Sequence, residues 1–320
     1  MRKVILDVDT GSDDSIALLL AHLSHKFDIL GITVTWGNNS VDDCVSNTLR
    51  VVDFMNADIP VYRGCSKPIV RELDADRLAK NPGNAISFYE DGICYTIHPK
   101  ELPLLPAHSK AQSKHACSFL VETLMNSNEK ITLIPVGPPT NIGMAFRMEP
   151  RIRDHIEEVV FMGGSVGMGN VTPTAEANFM HDPEAVKIIL NSGVPVRIIS
   201  LNATSSAALS MKMAEKLNDL NTKYGTYAYD IIKLRAKVSK YLGWTDGTAE
   251  PVHDPLAVAA LIDPDVITLE EAYDADIIAK DDVLDGTLVV HKNPDSQIRI
   301  ALQADAEKYC EILAEAFRNN

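Results

Sequence analysis

"VILDVDTGSDDSIALLLA" (residues 4–21) packs four aspartates, Asp7, Asp9, Asp13 and Asp14, into eight positions between apolar flanks. Its first part continues "KVILDV", a run of apolar and β-branched residues that reads as a buried strand. Ile16, Leu19, Leu20 and Leu23 then recur at helical spacing, with Ser12 or Asp13 available as caps. Further strands are expected at "ILGITVT" (29–35), "IPVY" (59–62), "ITLIPVG" (131–137), "EEVVFMG" (157–163) and "VPVRIIS" (194–200). Near-continuous apolar strands separated by helices predict an α/β fold, an open and mostly parallel sheet with helices on both faces. No linker or repeat divides the chain, so one domain over residues 1–320 is expected, with helices over 225–240 and in "DAEKYCEILAEAF" at the end.

The composition excludes several classes. A net charge of −14 over 320 residues argues against nucleic acid, whose binders show a basic face. No run reaches the roughly 18 apolar residues of a membrane helix. The start, "MRK" followed at once by a strand, does not read as a signal peptide. Five cysteines, Cys44, Cys65, Cys94, Cys117 and Cys310, lie scattered without CxxC spacing. That pattern argues against a disulfide framework or zinc site and for reduced thiols in the cytoplasm.

In open parallel sheets ligands gather beyond the carboxyl ends of the strands. Here those ends carry Asp7 to Asp14, "WGNN" (36–39), "VGPPTN" (136–141), "MGGSVGMGN" (162–170) and "LNAT" (201–204), the pattern of one shared site. A helix N-terminus stabilises one carboxylate through its dipole and free N–H groups, but not four. A divalent cation resolves the repulsion, and hard oxygen ligands suit Ca²⁺ or Mg²⁺. The plain alternative makes Asp13 a helix cap and Asp14 a solvated first-turn acid. "DVDTG" also partly resembles the DxDx[TV] start of haloacid-dehalogenase phosphatases, but Gly11 stands where threonine or valine belongs.

"MGGSVGMGN" does not have the GxGxxG order of a dinucleotide loop. It runs on through "VTPTAEAN" to a helix signalled by Asp182, Pro183 and Gly193. Glu176 and Asn178, two apart, would share a side if extended and would suit hydroxyl recognition; a solvated loop is the alternative. In "EPVHDPLAVAALID", Asp254 reads as a helix cap and His253 as a packed histidine unless the strand ends converge on them.

Together "DVDTGSDD", "WGNN", "VGPPTNIG", "FMGGSVGMGNVTPTAEANFMHDPEA" and "PVHDPLA" resemble, in the same order, the inosine-uridine-preferring nucleoside hydrolases, from about residue 3 to about residue 265. The resemblance implies a bound Ca²⁺ ligated by Asp9, Asp14, Asp254 and the Val136 carbonyl. It also implies ribose hydroxyls held by Asp13, Asn38, Glu176 and Asn178, with Asn170 reaching the 5′-hydroxyl and Met162 lining the pocket. Asp7 would support the cluster. The implied reaction is hydrolysis of the N-glycosidic bond of a ribonucleoside through an oxocarbenium-like sugar. The ion orients a water, Asp9 takes its proton, and His253, with a pKa in the neutral range, protonates the departing base. A homo-oligomer, tetramer or dimer, is implied as well.

The chain departs from the family pattern at "FYEDGI" (88–93), where Phe88 replaces a histidine of an "HGxDGL"-like segment; Phe88 or Tyr89 would then stack on the base. Thr10 and Ala177 also differ from common family residues. The aromatic residues Tyr224, Tyr227, Tyr229, Tyr241 and Trp244 read mainly as core, with a pocket wall, shared by Trp36, as the alternative role. A binding protein that kept the metal cage and lost turnover is the competing reading, motivated by the missing histidine.

Overall fold

The computed structural model describes residues 1–75, 77, 86–280 and 283–318. Its strands are β1 (Arg2–Val8), β2 (Phe27–Val34), β3 (Val61–Arg63), β4 (Ser87–Glu90), β5 (Ile93–Thr96), β6 (Ile131–Pro135) and β7 (Ile156–Met162). The remainder are β8 (Val196–Ile199), β9 (Leu209–Ser210), β10 (Ala249–Glu250), β11 (Ile267–Ile277), β12 (Leu288–Lys292) and β13 (Ile298–Ala304). Nine of them form one sheet in the order β12-β11-β13-β8-β7-β6-β1-β2-β3. Pairing is parallel from β3 to β13 and antiparallel only where β11 meets β13 and β12. All six strands expected from sequence are present. The antiparallel edge was not expected, because "ITLEEAYDADI" has four acidic residues and four exposed positions among its 11 and lacks an apolar run.

Alternation along β1 sends Val4, Leu6 and Val8 into the apolar layer on one face and Ile5 into the layer on the other. The first layer is closed by the helices Ser12–Leu23, Asp254–Ile262 and Ala306–Arg318, the second by Ala116–Met125, Thr140–Met148 and Pro183–Leu190. Ile16, Leu18, Leu19 and Leu20 are fully buried, contributing about 1.5–3 kcal/mol each. That total is large enough to offset a cost of several kcal/mol for drawing each of Asp13 and Asp14 out of water on the same helix. No described helix is long and apolar enough to cross a membrane.

Candidate active site

The strand ends converge on a cavity of about 540 Å³, within the usual range for small-molecule sites. Asp13, Asn38, Val136, Met162, Asn170, Glu176, Asn178, His253 and Asp254 all line it. Asp9 and Asp14 lie just beneath this lining.

Helix Ser12–Leu23 is capped by Gly11 and not by Ser12 or Asp13. Its first turn is tied by Asp14, whose Oδ2 accepts from Gly11 N–H at 2.8 Å and whose Oδ1 accepts from Asp9 N–H at 3.1 Å. Asn38 binds the cluster from the end of β2. Its N–H donates to Asp9 Oδ2 at 2.7 Å and its Nδ2 to Asp14 Oδ2 at 3.1 Å. Glycine is required twice here: a Cβ on Gly37 would stand 2.1 Å from Asp9 Oδ2, and one on Gly137 2.5 Å from Asp9 Oδ1. The chain thus closes over Asp9 from two strand ends.

Carboxylate oxygens of Asp13, Asp14 and Asp254 lie within 4.8 Å of one another. Asp254 opens helix Asp254–Ile262, packed against helix Ser12–Leu23. Burial, then Asp14, pushes Asp9 well above the ordinary carboxylate range, and burial, then Asp13, does the same to Asp254. Asp14 is raised to about 6, again by burial and then Asp13. Burial also acts on Asp13, but the charge of Arg235, followed by His98, overrides it and holds Asp13 below its usual value. Arg235 reaches in from helix Lys223–Tyr241, with Nη1 3.0 Å from Asp13 Oδ1 and Nε 3.5 Å from Glu250 Oε1. One guanidinium does not balance these acids. Asp9 Oδ1 remains buried without a hydrogen-bond donor among the described residues, and Asp13 Oδ1 is answered only by its ion pair with Arg235. Orphaned, hard, anionic oxygens fit a divalent cation, so the residues present suit the ion that the sequence implies.

Across the cavity, Glu176 and Asn178 do not sit on an extended loop. Glu176 is the N-cap of the short helix Ala177–His181, accepting from Asn178 N–H at 2.9 Å, Phe179 N–H at 3.2 Å and Gly164 N–H at 2.8 Å. Burial nevertheless raises it to about 7. Asn178 Nδ2 donates to the carbonyls of Val136 at 2.8 Å and Met162 at 3.1 Å. Asn170 Oδ1 accepts from Ala177 N–H at 3.0 Å, holding the glycine-rich loop to this helix. Asp182 caps the next helix as the sequence predicts, its Oδ1 accepting from Ala185 N–H at 3.1 Å.

Asp7 faces away from the cavity. Its Oδ1 accepts from Thr33 Oγ1 at 2.7 Å and Asn141 Nδ2 at 2.8 Å, so it braces the sheet and does not take the exposed nucleophile position of a phosphatase. His253 departs from the expected neutral-range pKa. Burial, then Arg235, lowers it to about 4, leaving a neutral ring with Nδ1 2.8 Å from Thr204 Oγ1.

Phe88 does not reach a base: it is stacked 3.8 Å from the Tyr241 ring and 5.2 Å from Tyr95, outside the lining, while Tyr89 is exposed. The hairpin β4–β5 turns that aromatic stack onto helix Lys223–Tyr241 and so brings the segment after β5 to the cavity. Ile86, Ile97 and His98 line the wall there, with Trp244 beside them. Tyr224 and Tyr227 are core, and Trp36, itself outside the lining, packs on the lining residue His181. An imidazole is therefore present after all, as His98, with Nδ1 3.8 Å from Asp13 Oδ1. Sequence reading missed His98 and Arg235; neither lies in a strand-end motif, and only chain folding carries them to Asp13.

A mostly parallel sheet, an acid floor and a facing Glu/Asn wall define, with the comparisons that follow, a hydrolase acting on N-glycosyl compounds, a ribonucleoside hydrolase. Residues 4–311 match the family model "Inosine-uridine preferring nucleoside hydrolase", and the chain belongs to that family. It is 35% identical over 274 residues to the pyrimidine-specific ribonucleoside hydrolase RihB of Shigella flexneri serotype 5b, covering 85% of this chain and 82% of that one. Among solved structures it is similar to a purine-preferring ribonucleoside hydrolase from Gardnerella vaginalis, with TM-score 0.83, 27% identity and 100% of both chains covered. The plant nucleoside hydrolase PpNRh1 gives TM-score 0.81 at 25% identity, covering 100% of this chain and 99% of that one.

Proposed function

We propose that the chain hydrolyses ribonucleosides to free base and ribose with Ca²⁺ held by Asp9, Asp14, Asp254 and the Val136 carbonyl. The observation that carries this reading is the buried, under-neutralised acid floor facing a nucleoside-sized cavity. A cation there supplies charge that makes a water easier to deprotonate and gives the ribose hydroxyls a fixed anchor. Asp9, buried in the floor and held by Asn38 N–H, accepts the proton of the attacking water. Asp13, held anionic by Arg235, accepts from the ribose hydroxyls together with Asn38, Glu176 and Asn178. Asn170 reaches the 5′ side, and Met162 packs beneath the sugar. Protonation of the departing base is assigned to His253; its ring is neutral in the free cavity, so the proton it delivers is drawn from solvent as the nucleoside binds. The five unbridged cysteines suit a cytoplasmic setting, in which we place the enzyme as a homo-oligomer.

The test is release of base and ribose from inosine, uridine, cytidine, adenosine and nicotinamide riboside, with and without a Ca²⁺ chelator. Chelator-sensitive release from at least one riboside is expected. Binding of nucleosides without any release would instead support a cage that has lost turnover, and chelator-insensitive release would remove the cation.

The protonation of the floor yields a second prediction. Asp14 is raised to about 6 from an ordinary 3.8, so in the cation-free protein its contribution to stability is full below that ordinary value and lost as pH rises through 6. His98 and His253, lowered to about 4 from 6.5, act oppositely: their contribution is full above 6.5 and lost as pH falls through 4. A cation binds the deprotonated carboxylates, so the Tm increase on adding Ca²⁺ should be larger at about pH 7.5 than at about pH 5. Equal increases at both would take these aspartates out of the ligand set.

A further inference from the structure

The cysteines look unrelated in sequence, yet the fold brings two of them together. Cys65 follows the end of β3, and Cys117 is the second residue of helix Ala116–Met125, whose N-cap is His115. The two Sγ atoms are 3.7 Å apart, and a ring nitrogen of His115 completes a group whose ligand atoms lie within 4.8 Å of one another. None of the three lines the substrate cavity. We propose that Cys65, Cys117 and His115 form a second metal site, for a thiophilic divalent ion of the Zn²⁺ class, with its fourth position open to solvent.

Geometry favours an ion over a bond between the sulfurs. Two thiolates on one tetrahedral zinc, at about 2.3 Å each, stand about 3.8 Å apart, close to the observed separation, whereas a disulfide brings them to about 2.0 Å. On binding, a metal ion displaces the thiol protons: two S–H bonds break, two S–metal bonds form, and two protons pass to solvent. His115 Nδ1 accepts from Cys117 N–H at 3.2 Å, so an ion takes His115 through Nε2 or in exchange for that cap hydrogen bond. Burial is graded across the three, from buried Cys117 through half-buried Cys65 to exposed His115, and that leaves a path for entry.

The site is wired to the sheet. Cys65 N–H donates to Asn141 Oδ1 at 2.8 Å, Cys117 Sγ–H contacts the Asn141 carbonyl at 3.6 Å, and Asn141 Nδ2 donates to Asp7 Oδ1 at 2.8 Å. A bound ion would clasp β3 to helix Ala116–Met125 and brace the asparagine that holds the end of β1.

Co²⁺, a spectroscopic probe for Zn²⁺, would be titrated into the full-length protein in saturating Ca²⁺, which fills the carboxylate floor but does not accept thiolates. Thiolate-to-cobalt charge-transfer absorption saturating at one equivalent is expected, displaced by Zn²⁺ and accompanied by protection of two thiols from a thiol reagent. Cys65→Ser should abolish the band and Cys94→Ser should leave it. His115→Asn, which retains an N-cap, should weaken Co²⁺ affinity by about tenfold or more. The proposal is overturned if the band is absent, if it survives Cys65→Ser, or if a Cys65–Cys117 disulfide forms in place of metal uptake.

Discussion

Asp9→Asn is expected to lower turnover by about a thousandfold or more while leaving the chain folded. The substitution is isosteric, and the retained carbonyl oxygen can still accept from Asn38 N–H in the position of Oδ2. What disappears is the proton acceptor and one negative charge. That charge is buried and repelled by Asp14 and Asp13, and its removal relieves repulsion and desolvation together. The cation-free variant should therefore be at least as stable as the parent, and its Tm gain on adding Ca²⁺ should shrink. Base-release kinetics and thermal unfolding with and without chelator measure both effects. Near-normal turnover in a folded Asp9→Asn protein would falsify the general-base assignment.

Arg235→Met should cost about 3–5 kcal/mol of stability at neutral pH in the absence of the cation. Arg235 is fully enclosed and faces Asp13, Glu250 and the Ser12 hydroxyl, the last at 2.9 Å. Methionine matches its length but leaves Asp13 buried without a counter-charge, and that penalty exceeds anything regained from the apolar replacement. Two features separate this account from simple loss of packing. The deficit should narrow as pH falls and Asp13 takes up a proton, because the largest influence holding it below its ordinary range is gone without Arg235. It should also narrow when Ca²⁺ is added. Urea unfolding at two pH values, with and without Ca²⁺, reads both. A pH-independent loss would mean that Arg235 acts through packing alone, and a loss under about 1 kcal/mol would mean that water reaches Asp13.

Much of the site was legible because its residues sit at strand ends, and strand ends can be found from apolar runs alone. Asp13, Asn38, Val136, Met162 and Asn170 reach the cavity from such positions, whereas Glu176 and Asn178 come from a short helix and His253 and Asp254 from the start of a longer one. Their local conformations were less legible. Glu176 and Asn178 resemble loop residues because a helix of five residues is too short to show a period. Phe88 seemed a partner for the base because it occupies a functional position in a related motif. Its ring instead found Tyr95 and Tyr241, and His98 entered the cavity from ten residues further along.

The sequence alone determined six strands of the sheet, their parallel character and the place where the acids collect, because β1 and helix Ser12–Leu23 follow from local periodicity and burial over short spans. Only the tertiary structure decided which charges answer those acids and which thiols meet. Arg235 lies 222 residues from Asp13, and Cys117 lies 52 from Cys65. Neither pair leaves a periodic trace, since a contact across the fold depends on how elements pack and not on the spacing of residues along the chain.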